Sequence, residues 1–127
     1  MVWQEDKILL GLRKGAQAAG KYSLPGGKLE YMESLANCAE RELLEECGVR
    51  IKNIKFLYLA NLTAYPPNHY AHIGLVAEWA GGEPQVLEPD MCESWGWHKL
   101  EEVPENIDKT LAMTLTSHQT GRNYFDA

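Results

Sequence analysis

Three glutamates near the end of a predicted helix have the clearest chemical potential in this chain. Glu42, Glu45 and Glu46 are spaced by three and four positions, so on a helix with about 100° per residue they share a quarter to a third of the circumference. Like charges at this spacing destabilise an isolated helix by roughly 0.2–0.5 kcal/mol per pair. Glu45 and Glu46 also fall in the last turn, where the helix dipole disfavours negative charge by about 0.3–1 kcal/mol each. Helix stability alone would favour lysines at these positions.

Clustered hard oxygen ligands suit Mg²⁺ or Mn²⁺ better than zinc, which prefers Cys and His. Mg²⁺ commonly bridges a few carboxylates to the phosphates of a substrate. The alternative is a solvated acidic face, which is the usual meaning of several glutamates on one helix. These glutamates taken alone leave both interpretations open.

A longer spaced pattern surrounds the glutamates. Gly27 is followed after five residues by Glu33, and after seven more residues by the segment Arg41–Val49, which reads RELLEECGV. This pattern resembles the catalytic box of the Nudix hydrolases at every fixed position. A spaced match of this length is far less frequent by chance than a short motif. Outside the box, the segments Tyr22–Gly27 and Glu88–Trp95 resemble the MutT-like branch of that family, which cleaves nucleoside triphosphates.

The resemblance implies specific roles for the acidic residues. Glu42 or Glu45 is expected to be the general base. The expected ligands of the Mg²⁺ ion, with Mn²⁺ as the other candidate, are Glu42, Glu45, Glu46, the backbone carbonyl of Gly26, and Glu93 from a late strand. For Glu93 an exposed strand carboxylate is the competing interpretation.

Other residues of the box are expected to be architectural. Glu33 and Arg41 resemble the internal ion pair of the family, which holds the loop against the helix, and Gly27 and Gly48 complete the structural set. Met32 departs from the commonest pattern, in which close relatives have Gly. A bulky residue tolerates a left-handed backbone poorly, so the loop conformation is the part of the resemblance that Met32 puts in question.

Substrate contacts are expected outside the box. Arg13, assisted by Lys14, matches a position where related enzymes place a cation on the phosphates, and Ser23 and His72 resemble positions that face the base. Ordinary solvated or packed side chains are the alternatives for these residues. Trp95 and Trp97 share a predicted strand face with Glu93, and an aromatic surface could stack a base. We expect one of the two tryptophans near the substrate and the other in the core.

Hydrophobic patterning places these residues on a small number of elements. A hairpin with a short first strand is predicted at the N-terminus, followed by a helix over about 34–47 with Ser34 as N-cap and Gly48 as C-terminal residue. Strands are predicted at 51–63, 70–79 and 92–99, and a second helix over about 108–120 is closed by Gly121. The resemblance implies an α+β fold, a Nudix-like α/β/α sandwich with a mixed sheet between helices, in one domain over residues 1–127.

Composition excludes several classes of protein. The net charge of −6 disfavours nucleic acid polymers and anionic membranes as partners. The three cysteines have no paired spacing, which favours a reduced interior over a disulfide framework or zinc site. No signal peptide or membrane-spanning run is recognisable, so a cytoplasmic protein is expected.

The expected activity is therefore Mg²⁺-dependent hydrolysis of a nucleoside triphosphate to a monophosphate and pyrophosphate, with oxidised nucleotides among the candidate substrates. ADP-ribose, a dinucleoside polyphosphate or another diphosphate is the alternative, because the box is common to all of them. A nucleotide sensor without turnover is the alternative from another class, although this chain retains all three glutamates. Relatives are often homodimers, so a homodimer is one candidate, although the sequence does not determine the oligomeric state.

Overall fold

The computed structural model describes residues 1–15 and 17–127, and its centre is a seven-stranded sheet. The strands are β1 (Val2–Gln4), β2 (Lys7–Arg13), β3 (Tyr22–Ser23), β4 (Arg50–Leu62), β5 (Tyr70–Gly81), β6 (Cys92–Lys99) and β7 (Tyr124–Asp126). Helix α1 spans Leu35–Cys47, helix α2 spans Lys109–Thr120, and a single 3₁₀ turn covers Leu100–Glu102. No helix in the described part of the chain is long and apolar enough to cross a membrane.

The sheet is mixed, as expected. Its strand order is β3-β2-β1-β5-β4-β7, and β6 pairs with β2 off this path. The pairs β1–β5 and β4–β7 are parallel, whereas the others are antiparallel. The short strand β1 therefore joins the β2–β6 half of the sheet to the long β4–β5 pair.

Side-chain alternation along the strands divides the core between the two faces of the sheet. On one face, Leu43 and Cys47 of α1 pack in a cluster with Leu9 of β2. On the other face, Leu111 of α2 packs with Ile8 and Leu10, the neighbours of Leu9. The sheet thus lies between the two helices, which confirms the predicted sandwich.

Both helices begin and end where the sequence predicts. The Ser34 side chain accepts a hydrogen bond from the Asn37 amide, and the Asp108 side chain accepts one from the Leu111 amide. Such a cap is typically worth about 1 kcal/mol. Gly48 and Gly121 end the helices with φ of 73° and 77°, a left-handed conformation that costs glycine no Cβ clash.

The predicted strand limits need correction, and two strands were not predicted. The long antiparallel pair is present, but β4 begins at Arg50 and β5 continues to Gly81. The sequence analysis missed β3 and β7, which contain two and three residues. Strands this short have no readable alternation, and β7 exists because Leu59, Ala60 and Asn61 offer it a parallel partner.

Met32 adopts the left-handed conformation that the sequence analysis questioned. Its φ is 64° and its side chain is 86% exposed. A non-glycine residue in this region costs roughly 1–2 kcal/mol, and an exposed side chain offers little packing in return. The loop between β3 and α1 therefore stores local strain.

Replacing Met32 with Gly should release this strain. We expect Met32→Gly to raise the free energy of unfolding by about 0.5–1 kcal/mol, because glycine adopts positive φ without a Cβ clash but loses more chain entropy on folding. Urea unfolding measures the change. Met32→Ala is the matched control, since it removes the side chain and keeps the Cβ. An equal gain in both variants would contradict the strain argument.

Candidate active site

The loop Gly26–Gly27 lies directly against the acidic end of α1. A Cβ added to Gly27 would lie 2.0 Å from the carboxyl carbon of Glu42, so only glycine permits this close approach. The Gly26 amide donates a hydrogen bond of 2.9 Å to Oε1 of Glu46. These two contacts set the distance between the loop backbone and two of the predicted ligands.

Glu46 is half-buried and poorly compensated. Burial, with a smaller contribution from the nearby Glu42 and Glu88 carboxylates, raises the pKa of its carboxyl to about 8. The Gly26 amide and the Arg13 guanidinium act in the opposite direction without cancelling the effect of burial. The negative charge of this half-buried carboxylate is therefore not fully balanced by neighbouring positive groups.

Arg41 makes the ion pair predicted from the resemblance. Its Nε and Nη2 donate to the two carboxylate oxygens of Glu33, at 2.6 and 2.9 Å. Hydrogen bonding from Arg41 lowers the pKa of Glu33 to about 2. The Nη2 group also donates to the carbonyl of Lys28 at 3.0 Å, so the pair ties the loop to the helix.

Arg41 also contacts the catalytic candidates, which the sequence analysis did not anticipate. Its Nη1 donates to Glu42 at 2.8 Å and to Glu45 at 3.2 Å. The side chain of Glu42 is 16% exposed and that of Glu45 is 51% exposed. One guanidinium therefore neutralises part of the acidic face and orients two of its carboxylates.

The carboxylate oxygens of Glu42, Glu45 and Glu46 are ligands of the type that a hard divalent cation prefers. Three carboxylates lie on one helix face, no basic residue occupies the last turn, and Glu46 lacks a cationic partner of its own. With the side chains in these conformations, no three His, Cys, Asp or Glu residues within residues 1–15 and 17–127 lie close enough together to hold a metal ion. The reason is visible in the contacts, since Arg41 engages Glu42 and Glu45 while Gly26 engages Glu46.

Arg13 lies on the sheet face that α1 covers. It follows Leu9 at an interval of four residues on β2, and alternate residues of a strand share a face. Its backbone carbonyl accepts from the Gly20 amide at 2.9 Å, and its Nε donates to the Gln17 carbonyl at 2.9 Å. Within residues 1–15 and 17–127 the two terminal guanidinium nitrogens make no hydrogen bond.

Ser23 and Trp95 flank Gly11 on the same face. Ser23 pairs with Gly11 across β3 and β2, and Trp95 pairs with Gly11 across β6 and β2. A Cβ at Gly11 would lie 2.7 Å from the Trp95 ring, so the indole rests on the strand itself. Ser23 is buried and donates to the Leu24 carbonyl at 3.3 Å.

Trp95 is half-buried, and both it and Trp97 pack against the α1-side core cluster. The indole nitrogen of Trp95 is buried without a hydrogen-bond partner among the described residues. Glu93 is the extra residue of a β-bulge, because Leu12 pairs with Ser94 whereas Arg13 pairs with Cys92. The bulge interrupts the alternation of β6, so alternation does not assign the exposed Glu93 side chain to either face of the sheet.

His72 lies on the opposite face of the sheet. It pairs with the buried Ala60 of the α2-side core, and its Nε2 lies 3.0 Å from the hydroxyl of Tyr58. The structure therefore brings Arg13, Ser23, Trp95 and the helix glutamates to one face and places His72 on the other.

The sequence analysis missed the segment that closes the C-terminal end of α1. The amides of Gln85 and Leu87 donate to the carbonyls of Cys47 and Glu46, at 2.9 and 3.3 Å. This segment brings Glu88 close enough to influence the pKa of Glu46. The sequence shows the acidic turn Glu88–Pro89–Asp90. The turn is about 40 residues from the end of α1 in the chain, so the sequence does not indicate that the two are in contact.

Comparison with known proteins agrees with this geometry. The NUDIX domain profile matches residues 1–116. The chain is 36% identical over 104 residues to an NAD-capped RNA hydrolase NudC of Pseudomonas putida, with 82% of this chain and 36% of that protein covered. The NudC of Chromobacterium violaceum is 32% identical over 101 residues. The chain thus spans little more than a third of the length of these curated relatives.

Solved structures include matches of similar length. The crystal structure of a MutT NUDIX hydrolase from Burkholderia pseudomallei has a TM-score of 0.78 and 30% sequence identity, and the match covers 91% of each chain. A NUDIX hydrolase from Nitrosomonas europaea has a TM-score of 0.80 at 21% identity, which supports the fold alone. The profile match and the match to the Burkholderia enzyme together show that this chain belongs to the Nudix family of hydrolases, which act on pyrophosphate bonds.

Proposed function

We propose that this chain hydrolyses nucleoside triphosphates to monophosphates and pyrophosphate with the help of Mg²⁺. The observation that carries the proposal is the contact of the Gly26–Gly27 loop with Glu42 and Glu46, on the sheet face that also holds Arg13. An acidic helix end for a cation and a nearby guanidinium for phosphate are the two components that this reaction needs. The match to a MutT hydrolase over 91% of both chains favours triphosphates.

In this proposal the cation is held by Glu42, Glu45 and Glu46, with the Gly26 carbonyl and Glu93 as further ligands. Bound Mg²⁺ would neutralise phosphate oxygens and stabilise the leaving group. Binding requires that Glu42 and Glu45 give up part of their contact with Nη1 of Arg41. Arg41 can stay in place as they do so, because Nε and Nη2 remain bonded to Glu33.

Glu42 or Glu45 would accept the proton of the attacking water. The guanidinium of Arg41 donates to the two carboxylates at 2.8 and 3.2 Å and orients both of them. Arg13 would bind phosphate oxygens through its two terminal guanidinium nitrogens, and Lys14 would assist. Ser23, Trp95 and His72 stay predictions as residues that contact the nucleoside.

Cleavage of an NAD-type dinucleotide is the second candidate. It is favoured by the curated relatives, which are named NAD-capped RNA hydrolases. The net charge of −6 disfavours a polymeric substrate, because it repels RNA at long range. The homodimer also stays a prediction, and light scattering after size-exclusion chromatography measures it.

A panel of substrates separates these candidates. We expect pyrophosphate from nucleoside triphosphates or their oxidised analogues, and slower turnover of NAD, NAD-capped RNA, ADP-ribose and dinucleoside polyphosphates. Phosphate products are identified by chromatography with Mg²⁺, with Mn²⁺ and with EDTA. If no triphosphate yields pyrophosphate, the proposed substrate class is wrong.

The helix carboxylates are tested by isosteric replacement. Glu45→Gln and Glu46→Gln should each lower turnover by about 10²–10⁴-fold at saturating Mg²⁺, because each loses a charge needed for metal binding or proton transfer. Circular dichroism should show an unchanged fold. Glu40→Gln, at an exposed position of the same helix, is the matched control and should keep normal turnover. Near-normal turnover in both test variants would refute the assignment.

The loop contact is tested by two neighbouring glycines. A Cβ at Gly27 would meet the Glu42 carboxylate at 2.0 Å, whereas a Cβ at Gly26 would meet no atom within 4 Å. Gly27→Ala should therefore lose most of its turnover through displacement of Glu42, and Gly26→Ala should stay close to wild type because it keeps the amide and carbonyl. Initial rates of pyrophosphate release measure both. Equal effects in the two variants would show that the contact is not required.

A further inference from the structure

A groove lies between helix α2 and strand β7, on the sheet face away from the glutamates. Its volume is about 390 Å³, within the range of about 300–1,000 Å³ that is common for binding sites. One wall is a strip of α2 whose residues are spaced by three or four positions, as on one face of a helix. They are Lys109, Ala112, Met113 and Thr116. None of them has a part in the proposed hydrolysis.

Strand β7 forms the other wall and is an edge of the sheet. Within residues 1–15 and 17–127 it pairs with β4 alone. The Asn123 carbonyl and the Ala127 amide both bond to β4. Since alternate residues of a strand direct their backbone groups to the same side, Tyr124 and Asp126 direct theirs away from β4. Asp126 also lines the groove, so the groove borders a strand edge that can pair with another chain.

The floor of the groove is apolar. Met113 and Phe125 line it, are each 6% exposed, and pack in one cluster with Tyr58. Ala112 lies at an exposed position of the helix wall. The floor therefore suits an apolar side chain of a ligand.

Positive charge lies towards both ends of the groove. Lys109 is the first residue of α2 and Arg122 follows its last residue by two positions, so the helix separates the two cations. Neither makes an ion pair within the described residues. The helix dipole also opposes a lysine in the first turn. Arg122 is held by its Nε, which donates to the Tyr124 carbonyl at 2.9 Å, and by the Phe125 ring at 4.4 Å from its guanidinium carbon.

The negative groups of the lining are already hydrogen-bonded. Oδ1 of Asp126 accepts from the Asn61 side chain at 2.7 Å. The oxygen of Ala127 accepts from the amide and the hydroxyl of Thr63, at 2.7 and 2.9 Å. In the described part of the chain, the charged groups of the lining that lack such a partner are thus the two cations. They favour an anionic ligand, although the chain as a whole has a net charge of −6.

We propose that this groove binds an extended acidic peptide segment of another protein, which adds a strand to the free edge of β7. Its backbone would pair with Tyr124 and Asp126, and an apolar side chain would cover the floor. Its acidic side chains would lie beside Lys109 and Arg122. Strand addition at an exposed sheet edge is a recurrent mode of peptide recognition, in which backbone hydrogen bonds give affinity and pockets give specificity. A small anion would engage the cations alone and leave the strand edge and the floor unused.

The binding is tested with a phage library of random seven-residue peptides, selected on the immobilised chain. Ala112→Phe serves as counter-selection, because a phenyl ring at this exposed position fills the groove without entering the core. We expect enriched peptides that combine acidic and apolar residues. Titration with the synthetic peptides should shift the amide resonances of Tyr124 and Asp126 most strongly. Their affinity should fall at least tenfold in Ala112→Phe.

The charges and the strand edge are tested separately with the same peptides. The double variant Lys109→Gln with Arg122→Gln should weaken binding by about 3–30-fold. Lys52→Gln, at an exposed position of β4, is the matched control and should not change it. Asp126→Pro removes an amide that points away from β4, and should weaken binding by about 2–10-fold. Urea unfolding checks that each variant is folded.

Several results would overturn the proposal. They are the absence of any enriched peptide, equal binding by Ala112→Phe, and enrichment of peptides without acidic residues. A shift of the Tyr124 and Asp126 resonances on concentrating the chain alone, abolished in Ala112→Phe, would mean that the groove holds a second copy. Shifts with inorganic phosphate or acetate and with no peptide would mean that it binds small anions only.

Discussion

The ion pairs of Arg41 are the interaction on which the site depends most. One guanidinium binds both oxygens of Glu33, contacts Glu42 and Glu45, and donates to the Lys28 carbonyl. The fork of donors in arginine suits this arrangement, because lysine would offer a point charge without fixed directions. Without Arg41 the loop would lose its attachment to the helix, and the acidic face would lose its nearest positive charge.

The acidic face shows a conflict between helix stability and chemistry. Glutamates in the last turn oppose the helix dipole, and burial of Glu46 raises its pKa to about 8. The helix is stabilised elsewhere, by the Ser34 cap, the Gly48 terminus and the packing of Leu43 and Cys47 on the sheet. Met32 shows a similar local cost, since an exposed side chain has φ of 64° beside the same site. These are the positions where the rules of stable folding are broken, and they surround the proposed chemistry.

The two faces of the sheet carry different groups. The α1 face holds the glutamates, Arg13 and the Gly26–Gly27 loop, whose charges suit a cation and phosphates. The α2 face holds the hydrogen bonds of His72 and Thr114 with the buried Tyr58 hydroxyl. The two faces meet where the Arg13 loop contacts Tyr70 through Gln17.

Much of the fold and the centre of the site could be read from the sequence, because the signals are local. The helix limits follow from local residues. The side chains of Ser34 and Asp108 cap the first turn of each helix, and Gly48 and Gly121 end the helices in a left-handed conformation. The resemblance to the Nudix box implies an ion pair of Glu33 and Arg41, and the structure contains it. The roles of Glu42, Glu45 and Glu46 in metal binding also come from the sequence and stay predictions.

Other features depended on contacts between distant segments. The two contacts of Arg41 with Glu42 and Glu45, the bulge at Glu93 and the approach of Glu88 to Glu46 all arise from how loops and strands meet. The strand β7 forms only because β4 offers it an edge. The hydrogen bonds of Tyr58 with His72 and Thr114 join residues separated by up to 56 positions, and no local pattern links them. Local propensity determines where elements begin and end, whereas the direction of a hydrogen bond or the depth of a carboxylate depends on which neighbours the complete fold supplies.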